Sequence, residues 1–217
     1  MEELNDEGRV INITKGREIP IGKGIKSLRV SVEWSENRRG EDFDIDLMVV
    51  EVDKNEKAPN ADYLVFYNSV LQTDDYKITD PDQAVVHSGD DRDGGEGEEV
   101  VVNIKKINPN INNIIFFLDI SEAESRNQTF RVIRDAVVKV YVDDNSSPKL
   151  VYNLGESFKE FTNMTVCSIV RDGGNRWKFV ADSEGRTGSI FKYLKKYGFK
   201  FFSIGMEEMR VIFPQKG

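Results

Sequence analysis

Apolar and polar residues alternate along most of the chain, which is the pattern of half-buried β-strands. Every second residue from Leu28 to Trp34 is apolar, for example. Runs of the same kind occupy residues 43–52, 63–67, 84–87, 100–104, 114–120, 136–142, 150–154, 164–170 and 177–181. The runs are short, and polar turns rich in Asn, Asp and Gly separate them. The pattern predicts a mainly β fold, either a sandwich or a barrel.

Two segments favour helix instead of strand. In residues 189–197, apolar and aromatic residues recur at helical spacing before Gly198, which suits a C-cap. Residues 121–125 predict a short helical turn, with Ser121 as its N-cap and Glu124 as the capping-box partner. We therefore expect few and short helices, one of them near the C-terminus.

Acidic residues outnumber basic residues, 38 Asp and Glu against 30 Lys and Arg, which gives a net charge of −8. This excess favours cationic partners and disfavours nucleic acid, whose phosphates an acidic surface repels. The longest apolar run, residues 114–118, is far shorter than the roughly 20 residues of a membrane helix. The acidic N-terminus lacks the features of a secretion signal, and Cys167 is the single cysteine. We expect a cytoplasmic protein in which residues 1–217 form one domain.

Two acidic segments are candidates for a metal site. Asp42, Asp44 and Asp46 occupy alternate positions of a predicted strand, so they share one face of it. Residues 88–99 contain four glycines and six acidic residues. Glycine permits sharp turns and carboxylates are hard oxygen ligands, a combination that suits Ca²⁺. A solvated acidic face fits the same residues, so the spacing alone leaves both interpretations open.

Other chemistry finds little support in the sequence. The acidic segment is not an EF-hand, because Gly89 occupies the first ligand position and strands flank the segment. Residues 16–24 are not a phosphate loop, because Gly24 stands where Ser or Thr is required. His87, at a strand end, is expected to be structural, and Cys167 is expected to be a core thiol. We therefore expect a protein that is not an enzyme.

Several motifs follow one another along the chain. In order they are Trp34, Asp42-Phe43-Asp44-Ile45-Asp46, Val65-Phe66-Tyr67-Asn68, His87-Ser88-Gly89-Asp90-Asp91, Ile120-Ser121-Glu122-Ala123, Arg126-Asn127-Gln128-Thr129-Phe130, Asp143-Asp144-Asn145 and Arg171 to Phe179. In number and order these motifs resemble the TerD-domain family, which contains tellurium-resistance and general stress proteins. The resemblance covers about residues 10–200 and leaves residues 201–217 as a C-terminal extension.

This resemblance implies a two-sheet β-sandwich that binds one or two Ca²⁺ ions and acts in stress responses. The ligands that it implies at the matching positions are Asp42, Asp44, Asp46, Asn68, Asp90, Asp91, Glu96 and Glu98. The chain departs from the family pattern at Ser35 and Gly97, which both replace Asp, and in a shorter acidic loop. These departures predict that binding of a second ion is weakened or lost.

The sequence leaves three functional hypotheses. The first is a non-enzymatic calcium-binding stress protein, cytoplasmic or peripheral at the membrane, in which Ca²⁺ orders the acidic loop against the strand of Asp44 and Asp46. The ordered loop presents an interaction surface, and its implied partners are other stress-operon products or complexes at the membrane surface. The second is a metal-independent interaction module whose acidic face binds a basic partner. The third, a hydrolase with metal-activated water, needs an open coordination position and a substrate cleft.

Overall fold

A computed structural model describes residue 4 and residues 10–35, 44–89, 97–132, 134–154, 158–204 and 208–212. Its strands are β1 (Ile11–Asn12), β2 (Glu18–Ile21), β3 (Ser27–Ser35), β4 (Ile45–Val52), β5 (Leu64–Val65), β6 (Ile78–Thr79), β7 (Val85–His87), β8 (Glu98–Asn103), β9 (Asn113–Ile120), β10 (Arg134–Val142), β11 (Leu150–Asn153), β12 (Asn163–Arg171), β13 (Trp177–Val180), β14 (Glu184–Arg186), β15 (Lys200–Ile204) and β16 (Glu208–Ile212). The helices are α1 (Ala123–Arg126) and α2 (Ile190–Leu194), and short 3₁₀ helices cover Ala61–Tyr63, Phe130–Val132 and Lys195–Tyr197.

The strands form two large sheets, which confirms the predicted mainly β, two-sheet fold. The first sheet has the order β1-β11-β10-β3-β8-β7-β6, and the second has the order β2-β13-β12-β9-β4-β5, with β14 added beside β12. All neighbours are antiparallel except β1 and β11. Strands β15 and β16 form a separate hairpin. One cluster of buried apolar side chains joins residues from both large sheets.

The two faces of the second sheet have different neighbours. Strands β4 and β9 pair without interruption from Ile45 opposite Ile120 to Val52 opposite Asn113. On one face, which we call the outer face, the Phe117 ring contacts Tyr193, with ring centroids 5.9 Å apart. The opposite face, which we call the inner face, contributes Leu47 to the core. Because side chains alternate along a strand, Asp46 belongs to the outer face.

The helix near the C-terminus is confirmed. Helix α2 continues into the 3₁₀ helix Lys195–Tyr197, and Gly198 ends it in the left-handed conformation, with φ of 104°. The chain after Gly198 then returns to the body of the protein, because Phe199 is buried and the Phe201 ring lies 4.8 Å from that of Phe191. The start of the C-terminal extension therefore packs against its own chain.

The predicted capping of the short helical turn is wrong. Helix α1 begins one residue later than a Ser121 cap requires, after Glu122, which has a left-handed backbone and makes no side-chain cap. The reason is that the Ser121 N–H donates to the Asp44 carbonyl at 2.9 Å and so extends the ladder between β4 and β9. Glu124 lies in the first turn of α1 but has no Ser121 cap to complement.

Several short strands were not predicted. Strands β1, β2, β6 and β14 have two to four residues each and are too short to show alternation, and β15 and β16 lie near the C-terminus, where no strand is predicted. Strand β2 contains Pro20 and lies at the edge of the second sheet, where proline is tolerated. The predicted strand at residues 63–67 is reduced to β5, because the chain turns at Phe66, whose carbonyl accepts the Ser69 N–H at 2.9 Å.

Candidate functional site

Asp44 and Asp46 lie where β4 begins. Asp44 immediately precedes the strand and is partly buried, and Asp46 is its second residue and is only 4% exposed. The neighbouring residues Ile45 and Leu47 are buried in the core, as the alternation predicts. The two carboxylates therefore share the outer face of the second sheet.

The backbone of Leu47 receives two side chains from the first sheet. Glu98 Oε2, at the start of β8, accepts the Leu47 N–H at 2.5 Å. His87 Nε2, at the end of β7, lies 2.8 Å from the Leu47 carbonyl oxygen. Strand β5 pairs with β4 only at Val49 and Val50, so Glu98 and His87 occupy the part of the β4 edge that β5 leaves open. Both described ends of the acidic loop are thus attached to one residue beside Asp46.

The hydrogen bonds of His87 define its tautomer. The Gly89 N–H donates to Nδ1 at 3.0 Å, so Nδ1 carries no proton. Nε2 is therefore protonated and donates to the Leu47 carbonyl. The ring is fully buried, and Nε2 lies 3.6 Å from Glu98 Oε2. His87 is accordingly a structural residue, as the sequence predicts, with both ring nitrogens engaged.

Gly97 immediately precedes β8 and lies against the backbone of the neighbouring strand β3. Its φ is +74°, and a Cβ built on it would lie 2.2 Å from the Val32 carbonyl oxygen. Ser88 and Glu99 pair at the two ends of the acidic loop, because the Ser88 N–H donates to the Glu99 carbonyl at 2.9 Å. The glycine that replaces the family's Asp is therefore required by the close backbone approach at the base of the loop.

Of the other predicted ligands, only Asn68 lies within the described residues. Strand β5 runs antiparallel to β4, so the chain after Val65 heads toward the Asp46 end, and Asn68 lies exposed in the turn that follows. Four predicted ligands lie outside the described residues, namely Asp42, Asp90, Asp91 and Glu96. Within the described part of the chain, no three His, Cys, Asp or Glu side chains are grouped so as to hold a metal ion. The calcium site stays a prediction.

Sequence analysis missed an acidic neighbour of Asp46. Asp119 on β9 lies directly opposite Asp46 and is partly buried. Burial, together with the negative charge of Asp46, raises the pKa of Asp119 well above its usual range. The sequence feature that could have identified Asp119 is that it is a single carboxylate inside the apolar run of residues 114–120.

A second acidic group lies at the other end of β4. Glu51 on the inner face is 1% exposed, and both of its carboxylate oxygens are buried without a hydrogen-bond partner. Burial, followed by the charges of Asp80 and Asp82, raises its pKa well above the usual range. Asp82 Oδ2 accepts the Tyr63 hydroxyl at 2.8 Å and Asn108 Nδ2 at 3.2 Å.

Asp80 in this second group closes a turn. Its Oδ1 accepts the Val85 N–H at 2.7 Å, and its Oδ2 accepts the Asp82 N–H at 2.9 Å. Both oxygens are therefore engaged by the backbone that links β6 to β7. Asp80 is therefore a structural residue. The sequence signal for Glu51 is a single carboxylate inside the apolar run of residues 47–52.

Cys167 on β12 is fully buried, as the sequence predicts for a core thiol. Burial raises the pKa of this thiol, which keeps it protonated and unreactive. None of the helices formed by the described residues has the length and apolar character needed to cross a membrane.

Comparisons with known proteins agree on one family. The model of the TerD domain matches residues 10–197. The chain is similar to General stress protein 16U of Bacillus subtilis (strain 168), with 30% identity over 196 residues, which cover 87% of this chain and 97% of that protein. It is also similar to Tellurium resistance protein TerD of Serratia marcescens, with 27% identity over 195 residues, which cover 87% of this chain and 97% of that protein.

A solved structure shares the fold. The crystal structure of a homologue of telluride resistance protein (TerD) from Streptomyces coelicolor A3(2) superposes with a TM-score of 0.62 at 18% identity. The superposition covers 78% of this chain and 95% of that chain. The two-sheet architecture is therefore common to both proteins.

Proposed function

Because the chain belongs to the TerD-domain family, we propose that it is a non-enzymatic calcium-binding protein of the tellurium-resistance and general stress-response type. In this proposal, Ca²⁺ orders the acidic loop of residues 88–99 against β4 and so creates an interaction surface. The protein acts in the cytoplasm or at the membrane surface, with products of stress gene clusters as its partners.

The attachment of the acidic loop to Leu47 is the observation that carries the proposal. His87 and Glu98 bracket the loop, and both bond to the backbone of the residue that follows Asp46. The Glu98 carboxylate is thereby held at the same end of β4 as Asp44 and Asp46. A ligand that binds both segments is favoured because the protein has already brought their ends together.

The donor set suits calcium. The predicted ligands in the described part of the chain are Asp44, Asp46, Asn68 and Glu98, and all four offer oxygen atoms. When bound, Ca²⁺ supplies a double positive charge and takes six to eight oxygen ligands. Asp46 and the partly buried Asp119 beside it place two carboxylates in a poorly hydrated position, where a cation offsets their repulsion.

The non-enzymatic part of the proposal rests on the state of the reactive side chains. His87 uses Nδ1 to accept from Gly89 and Nε2 to donate to Leu47, so neither nitrogen is available as a general base. Cys167 is fully buried, and its raised pKa disfavours the nucleophilic thiolate. These observations disfavour catalysis by a His87 base or a Cys167 nucleophile, and they support a binding role.

Thermal unfolding of chelator-stripped protein tests the proposal. Calcium at about 100 times its dissociation constant should stabilise the native state by about 2.7 kcal/mol. For a chain of this length, that corresponds to a rise in Tm of roughly 5–10 °C. The double variant Asp44→Asn/Asp46→Asn should lose most of the rise. The matched control Asp74→Asn/Asp144→Asn, in exposed turns, should keep it. A wild-type protein that shows neither a Tm shift nor heat of binding in calorimetry contradicts the proposal.

A metal-independent interaction module is the second candidate. It is favoured by the same two bonds to Leu47, since they hold the ends of the acidic loop with protein atoms alone. Such a module would keep its affinity for a basic partner in the presence of chelator. A partner captured from stressed cells equally well with and without chelator supports this second candidate against the first.

A further inference from the structure

Three oxygen-bearing side chains lie side by side on the outer face of the second sheet. Asp46 on β4 is directly opposite Asp119 on β9, and Asp119 is directly opposite Asn163 on β12. Residues that pair in this way point to the same face, with their Cβ atoms about 4.5–5.5 Å apart. The three residues therefore form a continuous row, which we call the outer row. Only Asp46 belongs to the ligand set that the family resemblance implies.

The amide of Asn163 has a defined orientation. Its Nδ2 donates to the Gly188 carbonyl at 2.6 Å and to Thr162 Oγ1 at 3.3 Å. The Gly188 carbonyl oxygen can only accept, so the nitrogen and the oxygen of the amide cannot be exchanged. Gly188 follows β14, which pairs with β12 on the side opposite β9. Because the two ends of the planar amide point apart and Nδ2 contacts Gly188, Oδ1 is directed away from Gly188, and β9 with Asp119 is the strand on that side of β12.

This amide oxygen is an unusual group in the protein interior. Asn163 is 1% exposed, and its Oδ1 is buried without a hydrogen-bond partner. An unpaired buried acceptor destabilises the native state, because it loses its hydrogen bonds to water and gains none in return. Its neighbour in the outer row is a carboxylate, which is also an acceptor. Two acceptors that face each other need a positive group between them, which either a proton on Asp119, whose pKa is raised, or a bound cation supplies.

Arg186 is the positively charged residue nearest to Asn163 along the paired strands, but it does not supply this positive group. Arg186 on β14 lies opposite Asn163, on the far side from Asp119. Its guanidinium donates to Thr165 Oγ1 at 3.1 Å, pairs with Glu184 and lies over the Tyr193 ring at 3.5 Å. The guanidinium of Arg186 is therefore engaged by Thr165, Glu184 and Tyr193.

We propose that Asp119 and Asn163 join Asp46 in binding a divalent cation on the outer face of the second sheet. The two carboxylates and the amide carbonyl oxygen are the hard oxygen ligands that Ca²⁺ prefers. The row supplies part of a calcium shell of six to eight oxygens. This inference rests on the proposed function, and it adds two ligands from strands that the family resemblance does not implicate.

Calorimetry of the full-length, chelator-stripped protein with CaCl₂ tests the outer row. The Asp119→Asn variant keeps the shape of the side chain and should weaken calcium binding by about tenfold or more. The control Asp144→Asn makes the same charge change in an exposed turn and should bind as the wild type does. The Asp119→Asn variant should also melt higher than the wild type without calcium, because it removes the repulsion from Asp46, and gain less on addition of calcium. A folding defect would not produce this pair of opposite changes.

Nuclear magnetic resonance of the wild-type protein gives a readout that needs no functional variant. Calcium at Oδ1 should shift the Asn163 side-chain amide signal, which is assigned by its absence from Asn163→Ala. A wild-type protein that binds calcium while this signal stays fixed, and whose Asp119→Asn variant binds equally well, overturns the outer row and leaves the proposed function standing. A wild-type protein that binds no calcium overturns both.

Discussion

Strand β4 carries a buried carboxylate near each end, and the two meet different surroundings. Asp46 faces outward, beside a second carboxylate and next to the residue that anchors the acidic loop. Glu51 faces inward, and its oxygens are buried without hydrogen bonds near the closed turn of Asp80 and Asp82. A buried acid is tolerated when a proton or a cation neutralises it. The surroundings of Glu51 favour a proton. Asp46 is flanked by further oxygen atoms that can act as metal ligands, so its surroundings favour a cation.

The largest expected effect is at the loop end of β4. Gly97→Ala should destabilise the protein by about 2–4 kcal/mol, because it adds a left-handed alanine and a clash with the Val32 carbonyl. It should also reduce the stabilisation by calcium, since Glu98 would be displaced from Leu47. Urea unfolding with and without CaCl₂ measures both effects.

Gly16→Ala is the matched control for that substitution. Gly16 has a similar φ of +82°, but nothing lies within 4 Å of the added Cβ. Its cost should be about 1–2 kcal/mol and should not depend on calcium. If the two alanine variants lose the same stability and respond equally to calcium, the close approach at Gly97 does not support the site.

At the other end of β4, substitution of Glu51 should raise the stability of the protein. Glu51→Gln should stabilise the protein at neutral pH by about 1–3 kcal/mol, because it removes a buried group that must hold a proton. The raised pKa means that native Glu51 retains its proton where the unfolded chain has lost it. Glu51 therefore contributes most to the free energy of unfolding below its pKa in the unfolded chain. This contribution falls as the pH rises toward the higher pKa of Glu51 in the native state.

The pH dependence provides the check on Glu51. Urea unfolding at about pH 5 and about pH 8 should show that the advantage of Glu51→Gln grows with pH. The calcium response of this variant should equal that of the wild type. A variant that is less stable than the wild type at the higher pH would mean that Glu51 is charged and paired in the native state, and the comparison between the two ends would fail.

The alternation of residues predicted the local part of the site. It placed Ile45 and Leu47 in the core and Asp44 and Asp46 on the other face, and the structure agrees. The composition of residues 88–99, with four glycines and six acidic residues, indicated the acidic loop, and the family resemblance implied its ligands. His87 was interpreted as structural because it stands alone at a strand end, and its two hydrogen bonds show the reason.

The pairing between strands was not accessible from one sequence. Asp119 and Asn163 lie in or beside runs that read correctly as strands, but alternation within a strand does not define the register between strands. The bonds from His87 and Glu98 to Leu47 connect residues that are 40 and 51 positions apart. Such contacts depend on how the two sheets pack, which short-range patterns do not encode.

Hydrogen–deuterium exchange of the chelator-stripped protein, with and without saturating CaCl₂, tests the central claim most directly. The account predicts slower exchange in residues 42–48 and 88–99, where the loop meets the start of β4. It predicts little change in residues 78–86, which surround the Asp80 turn near Glu51. Calcium that binds without slowing exchange in residues 88–99 would contradict the claim that the ion orders this loop against the strand.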